Sequence, residues 1–213
     1  MSTLCLGTRT ETIARAVQVL RDGGIVAFPT DTVYGVGAHA FCPAAVERLY
    51  VAKVRPPGKA IPLLLWSVDA LPLVARSVPD LVYALAARFW PGALTLVLFR
   101  TAQVPDAVTA GGDTVAVRVP DHAVAQALLA TLGAPLAATS ANLSGYPPPV
   151  SAGDVLAQLE GRIDLLLDGG LCPGGVASTV LDLTCAPPRI LRAGGIPAAQ
   201  IAGVIGEEEN HAP

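Results

Sequence analysis

The sequence contains few charged and few aromatic residues. Charged side chains make up 15% of its 213 residues and aromatic side chains 5%, whereas hydrophobic residues make up 52%. This scarcity of charge excludes intrinsic disorder, which requires low hydrophobicity and high net charge. Lys and Arg number 14 against 17 Asp and Glu, and the resulting net charge of −3 excludes a broadly basic nucleic-acid binder.

Long uninterrupted hydrophobic runs are also absent. A membrane-spanning helix needs about 20 apolar residues, and the two most apolar stretches are interrupted, one by Pro62, Asp69 and Pro72, the other by Arg88 and Pro91. The N-terminus lacks a basic region followed by an apolar run, so no signal peptide is expected. We therefore expect no membrane partner and a cytoplasmic location.

Cysteine and nucleotide-binding motifs are sparse. The four cysteines, at positions 5, 42, 172 and 185, form no C-x-x-C pair, and the three histidines are dispersed as well. No zinc pattern or other metal-ligand set is identifiable, so we expect free, mostly buried thiols. Walker A and G-x-G-x-x-G motifs are missing, so any nucleotide site must be of another kind.

Charge is distributed unevenly along the chain. Three glutamates occupy positions 207–209, and without them the remaining chain is formally neutral. We predict one domain over residues 1–206 and an acidic, disordered tail over residues 207–213. The only lysines, Lys53 and Lys59, lie six positions apart, which indicates either a site that needs ammonium groups or chance clustering.

The hydrophobic pattern predicts an α/β (α+β) fold with a mixed sheet, because strands and helices do not alternate strictly. A capping box over Thr8–Glu11 would open the first helix, and a loop over residues 29–37 would follow the first buried strand. Further strands are predicted at 62–66, 93–99, 114–119, 135–138, 163–167, 178–183 and 189–192. Further helices are predicted from 43 to about 53 and at 79–89, 121–132, 151–159 and 197–205.

The segment from Lys53 to Lys59 is the most basic part of the chain. It contains Lys53, Arg55 and Lys59 with no acid between them. Because like charges repel, a fold tolerates such a cluster best when an anion neutralises it, and a polyphosphate would serve. A solvated run of charges is the alternative.

Hydroxyl and amide side chains cluster after two predicted strands. Thr30, Asp31 and Thr32 follow the first buried strand, and Ser140 and Asn142 follow the strand that ends near 138. Such groups can hold a small polar ligand, or they can form ordinary side-chain turns.

Arginines mark two further strands. Thr114 and Arg118 share one face of the strand over 114–119, where a buried arginine needs either a bound anion or an acidic partner. Arg189 and Arg192 should point to opposite faces, so at most one of them joins a given pocket. We select Arg192, which lies beside an Ala-Gly-Gly turn, together with the hydroxyl of Ser178.

These segments occur in one order: FPTDTVYG from 28, K-x-R-P from 53, TVAVRVP from 114, S-x-N from 140, STV from 178 and ILRAGG from 190. From about residue 10 to about 200 the chain resembles the YrdC-like family of L-threonylcarbamoyladenylate synthases, in its short, single-domain form. The resemblance implies a twisted, mixed, open sheet with a concave basic cavity. It also implies a nucleotidyltransferase that converts L-threonine, bicarbonate and ATP to threonylcarbamoyl-AMP and pyrophosphate. That product supplies the threonylcarbamoyl group for modification of a tRNA adenosine next to the anticodon.

The resemblance also assigns residues and partners. It implies threonine binding by Thr32, Arg118, Ala138 and Ser178, and ATP binding by Lys53, Arg55, Lys59, Thr114, Ser140, Asn142 and Arg192. Mg²⁺ would accompany ATP, and tRNA and the downstream threonylcarbamoyl-transfer proteins are implied partners. Leu64 and Pro148 stand where some members have a histidine and a small hydroxyl residue. The alternative is a YrdC-like paralogue that binds RNA or handles a carbamoyl-adenylate.

Overall fold

The computed structural model describes residues 2–56, 58–173 and 176–211. Its strands are β1 (Leu4–Gly7), β2 (Val26–Phe28), β3 (Gly35–His39), β4 (Leu63–Leu64), β5 (Leu94–Phe99), β6 (Thr114–Arg118), β7 (Leu136–Ser140), β8 (Leu165–Asp168), β9 (Thr179–Asp182) and β10 (Arg189–Arg192). Its helices are α1 (Thr10–Arg21), α2 (Pro43–Lys53), α3 (Leu71–Val74), α4 (Asp80–Phe89), α5 (Asp106–Thr109), α6 (Ala123–Leu132), α7 (Ala152–Leu159) and α8 (Ala198–His211).

All ten of these strands form one open, twisted, mixed sheet in the order β1-β8-β2-β3-β7-β4-β6-β5-β9-β10. Pairing is parallel between β1 and β8, β8 and β2, β4 and β6, and β5 and β9, and antiparallel at the other junctions. The predicted α/β fold with a mixed sheet is confirmed.

The two faces of the sheet are covered differently. The larger core lies on one face, where residues of α2, α3, α4, α7 and α8 pack against strands from β2 to β9. On the other face, α1 and α6 pack against β8, β2, β7 and β4. Beyond β4, residues of β5, β6 and β9 on this second face stay partly exposed: Val97, Thr114, Ala116 and Val180. This part of the second face, formed by β5, β6, β9 and β10, is therefore only partly covered, and we call it the open face.

Most predicted elements lie within two residues of their observed bounds, but several were missed. The loop predicted over residues 29–37 ends early, because residues from Gly35 form β3. A Cβ on Gly37 would lie 3.2 Å from the carbonyl oxygen of Ala137 on the neighbouring strand, so this strand uses glycine where an apolar pattern would otherwise reveal it. β1, α3 and α5 were also missed, and each is only four residues long.

Three further expectations differ from the structure. The N-cap of α1 is Arg9 without a side-chain cap, and the Thr12 hydroxyl donates to the carbonyl of Gly7, so the predicted capping box is wrong. Of the four free cysteines only Cys172 is buried, so "mostly buried" was wrong. The domain boundary predicted at residue 206 falls inside α8, which continues to His211, and residues 212 and 213 lie outside the described part of the chain.

Candidate functional site

Arg118 lies at the centre of the open face. Leu64 of β4 pairs with Arg118, and Leu96 of β5 pairs with Val117, which places Thr95 beside Arg118. Val180 then pairs with Thr95 on one side and with Arg192 on the other. One row across four strands therefore brings Arg118 and Arg192, which lie far apart in sequence, onto the same part of the sheet.

An acidic residue holds Arg118 in place. Nη2 of Arg118 donates to Oδ2 of Asp31 at 2.5 Å, and Nε donates to the carbonyl of Gly92 at 2.8 Å. Burial lowers the pKa of Arg118, the Asp31 carboxylate opposes that shift, and the nearby Arg192 adds to it. The sequence predicted either a bound anion or an acidic side chain as the partner of Arg118, and in the structure that partner is the carboxylate of Asp31.

Ser178 and Arg192 form a second cluster beside this pair. The Arg192 guanidinium donates to the Ser178 carbonyl at 2.8 Å and to its hydroxyl at 3.0 Å, and that hydroxyl lies 2.8 Å from Oγ1 of Thr95. Ser178 is buried, whereas Arg192 is exposed. Arg189 instead lies 3.7 Å from Asp182. Arg189 pairs with Asp182 and Arg192 with Val180, and a bulge separates the two pairs. Because Asp182 and Val180 share one face of β9, the two arginines do too, and the expectation that they point to opposite faces is wrong.

The S-x-N turn and the basic segment meet at one end of the sheet. Nζ of Lys53 donates to the carbonyls of Ser140 and Asn142, and Oγ of Ser140 donates to Oδ1 of Asn142 at 2.5 Å. Lys53 is only 2% exposed. Burial and the nearby Arg55 lower its pKa to about 8. The ammonium thus binds protein carbonyls, an arrangement that the sequence did not reveal.

Arg55 and Lys59 follow on the outer side of this end. Arg55 donates through Nη2 to the carbonyl of Ala60 at 3.0 Å and through Nε to that of Lys59 at 3.3 Å. The Lys59 side chain is exposed, while its carbonyl also accepts from the Tyr50 hydroxyl at 2.8 Å. Backbone carbonyls therefore hold two nitrogens of the Arg55 guanidinium, whereas the Lys59 ammonium is exposed to solvent.

The remaining predicted residues are Thr32, Ala138 and Thr114. Thr32 is buried, with its hydroxyl 3.0 Å from that of Thr30. Ala138 of β7 shares the face of Leu136, which pairs with Leu64, and it is 5% exposed. Because β7 runs antiparallel to β4 and β6, Thr114 lies at the same end of the sheet as Ser140.

The structure places Thr114, Arg118, Ala138 and Arg192 on the second face of the sheet. Lys53 ends α2, which packs on the other face, and Arg55 and Lys59 follow it, so these cations reach the site only from the sheet end where Lys53 meets Ser140 and Asn142. The structure also adds Asp31 and Thr95, which sequence reasoning did not select. Asp31 could have been found from the need of a buried arginine for an acid. The concave basic cavity stays a prediction. A hollow of about 680 Å³ lies between α2 and α5, and its mostly apolar lining includes Glu47 and Arg55. In the described segments, no three acidic, histidine or cysteine side chains form a metal-binding group.

Comparison with known proteins gives a consistent result. The Sua5/YciO/YrdC family model, described as "Telomere recombination", matches residues 18–194. A Pyrococcus abyssi protein named threonylcarbamoyl-AMP synthase is 46% identical over 92% of this chain and 58% of its own length. This chain thus spans a little over half the length of that relative.

Solved structures agree. P. abyssi Sua5 complexed with L-threonine is 44% identical, with a TM-score of 0.91, over 97% of this chain and 61% of that one. E. coli YciO is 30% identical, with a TM-score of 0.81, over 91% of this chain and 96% of that one. On the extent of the family match and these identities, this chain belongs to the Sua5/YciO/YrdC family.

Proposed function

We propose that this protein is an L-threonylcarbamoyladenylate synthase, which converts L-threonine, bicarbonate and ATP to threonylcarbamoyl-AMP and pyrophosphate. The main support is the convergence of Arg118, Ser178 and Arg192 on an open sheet face, in a chain 44% identical to a Sua5 that was crystallised with L-threonine. The product would supply a tRNA adenosine modification through downstream transfer proteins. A cytoplasmic location belongs to the same proposal, and no helix in the described ranges is long and apolar enough to cross a membrane.

Threonine would bind on the central part of the open face. Its carboxylate would pair with Arg118, whose Nε and Nη2 are held by Gly92 and Asp31. An arginine fixed in this way presents its remaining N–H groups to a carboxylate at little further entropic cost. Thr32 and Ser178 would contact the rest of the amino acid, above the small side chain of Ala138.

ATP would bind towards the end of the sheet where Ser140 and Thr114 lie. Arg55 and Lys59 would neutralise the triphosphate, Ser140, Asn142 and Thr114 would add hydrogen bonds, and Arg192 would contact the phosphate or the adenylate. Mg²⁺ would be held by phosphate oxygens and water, which suits an ion that keeps much of its hydration shell. The described residues provide no dedicated cage for it.

The reaction needs no side-chain nucleophile. The threonine amine would attack bicarbonate, forming a carbamate with loss of water, and a carbamate oxygen would then attack the α-phosphorus and displace pyrophosphate. The protein would contribute by holding two anionic substrates side by side and by neutralising their charge. The ordered arginines of the open face fit that role.

The proposal is tested by incubating the purified protein with ATP, Mg²⁺, bicarbonate and labelled threonine. Pyrophosphate and threonylcarbamoyl-AMP are expected in equal amounts, and both should depend on bicarbonate. Absence of both, under conditions where a reference synthase is active, would overturn the proposal. Arg55→Ala should weaken ATP use by about tenfold to a hundredfold, the usual effect of losing a charge-assisted contact.

A further inference from the structure

Lys53 uses its whole hydrogen-bonding capacity inside the protein. An ammonium has three N–H donors, and three acceptors surround Nζ: the carbonyl oxygens of Ser140 and Asn142, and Oδ1 of Asn142 at 3.4 Å. With the side chain 2% exposed, no donor is left for a ligand. A direct bond from Lys53 to a phosphate would require one of these contacts to break.

The same residue connects two segments through its main chain. The carbonyl of Lys53 accepts from the amide of Ser144 at 2.9 Å, so Lys53 contacts the turn at both of its ends. Lys53 is the last residue of α2, where the helix dipole favours a cation. Val54 then adopts a left-handed conformation with φ of 51°, which ends the helix just before Arg55.

The buried ammonium also alters the electrostatics of the turn. Two carbonyl oxygens and an amide oxygen converge on Nζ, and without a cation their partial negative charges would face one another and any nearby phosphate. A buried carbonyl without a hydrogen-bond donor raises the free energy of the folded state, so the turn would rearrange if the ammonium were removed. The conformation of Ser140 and Asn142 therefore depends on Lys53.

We propose that Lys53 is a positioning residue rather than a phosphate ligand: it locks the turn of Ser140–Asn142 to the segment that bears Arg55. This inference rests on the proposed function, since it assigns ATP to that turn. It differs from the expectation that Lys53 neutralises the triphosphate directly. The cations left for that task are Arg55, Lys59 and Arg192.

A double-mutant cycle on ATP affinity tests the inference without any turnover. Lys53→Met and Asn142→Ala are each expected to weaken ATP binding by about tenfold or more. Their combination should be no weaker than the worse single variant, because both changes disorder the same turn. Lys59→Met removes the same charge from an exposed lysine of the same segment, so its effect should multiply with that of Asn142→Ala.

Hydrogen exchange on the nucleotide-free protein adds a readout that a phosphate contact would not affect. Faster exchange of the amides of Ser144 and Tyr146 is expected in Lys53→Met and not in Lys59→Met. Unchanged exchange, or effects of Lys53→Met and Asn142→Ala that multiply, would overturn the inference.

Two outcomes separate the inference from the proposed function and from simple misfolding. A wild-type protein that binds no ATP would refute the proposed function, and the positioning role with it. If Lys53→Met does not fold, Lys53→Arg serves instead, because it keeps the charge but does not fit the buried site. Weak ATP binding by folded Lys53→Arg is expected, whereas full binding would show that charge alone is required.

Discussion

Oδ2 of Asp31 lies 2.5 Å from Nη2 of Arg118, and the two side chains are only 15% and 9% exposed. The pair is not fully satisfied: Oδ1 of Asp31 is buried with no hydrogen-bond partner within residues 2–56, 58–173 and 176–211. Breaking a buried ion pair by removing one partner is costly, because the other charge is left uncompensated. The pair thus fixes the position of Arg118 on the open face while one carboxylate oxygen stays unpaired.

Arg118→Ala is expected to raise the KM for threonine by tenfold or more while changing that for ATP much less, since the arginine would pair with the threonine carboxylate. The variant should also lose about 3–5 kcal/mol of stability, because Asp31 is left buried and unpaired. Steady-state kinetics on the folded protein measure the first effect. Arg189→Ala, which removes an exposed arginine, is the matched control, and equal increases in both KM values would contradict the assignment.

Asp31→Asn should make the protein less stable but more responsive to threonine. Without the Asp31 charge, a threonine carboxylate would be the main counter-ion of Arg118, so threonine should raise the Tm more in the variant than in wild type. Thermal unfolding with and without threonine gives the comparison, with D-threonine as the ligand control. A smaller threonine-induced shift in the variant would mean that Asp31 is needed chiefly to orient Arg118.

Gly194→Ala should damage the Ser178 cluster. A Cβ at position 194 would clash with the Ala177 carbonyl oxygen and with the backbone nitrogen of Thr179, so the strand start around Ser178 must move. Threonine binding is expected to fall by at least tenfold, as measured by calorimetry.

Gly203→Ala is the control for that variant. A Cβ at Gly203 meets nothing within 4 Å, and alanine favours helix over glycine by about 1 kcal/mol. This variant should bind threonine normally and unfold at the same or a higher temperature. Normal threonine binding by Gly194→Ala would refute the role of Ser178.

ATP binding is expected to weaken as the pH rises through about 8, the lowered pKa of Lys53, because the ammonium that holds Ser140 and Asn142 loses its proton. Stability should not fall for the same reason. The folded-state pKa lies below the ordinary value of 10.5, so between about 8 and 10.5 the unfolded chain binds more protons at Lys53. This group therefore makes the free energy of unfolding rise with pH in that window.

The measurement is the Kd for ATP from pH 7 to 9, with the Tm recorded at each pH. Lys53→Met should flatten the Kd profile over this range. An equal pH dependence in that variant would assign the effect to another group.

Local patterns predicted much of this fold because its longer elements have strong signals of their own. The observed β5 and β6 begin and end within one residue of the predicted strands, and α4 and α7 begin one residue after the predicted helices. β3 was missed because its glycines, which allow close strand packing, erase the hydrophobic alternation that marks a strand. The four-residue elements were missed because so short a segment has almost no periodicity.

The sequence by itself determined the mixed α/β fold and the residue types of the site, since apolar periodicity and ordered motifs are local properties of the chain. Only the tertiary structure decided how those residues combine. Sheet register set Arg118 and Arg192 in one row, and packing brought Asp31 to Arg118 across 87 positions of sequence. It also buried the Lys53 ammonium against carbonyls 87 and 89 positions away. Backbone carbonyls are present at every residue, so sequence cannot mark those that a buried cation will bind.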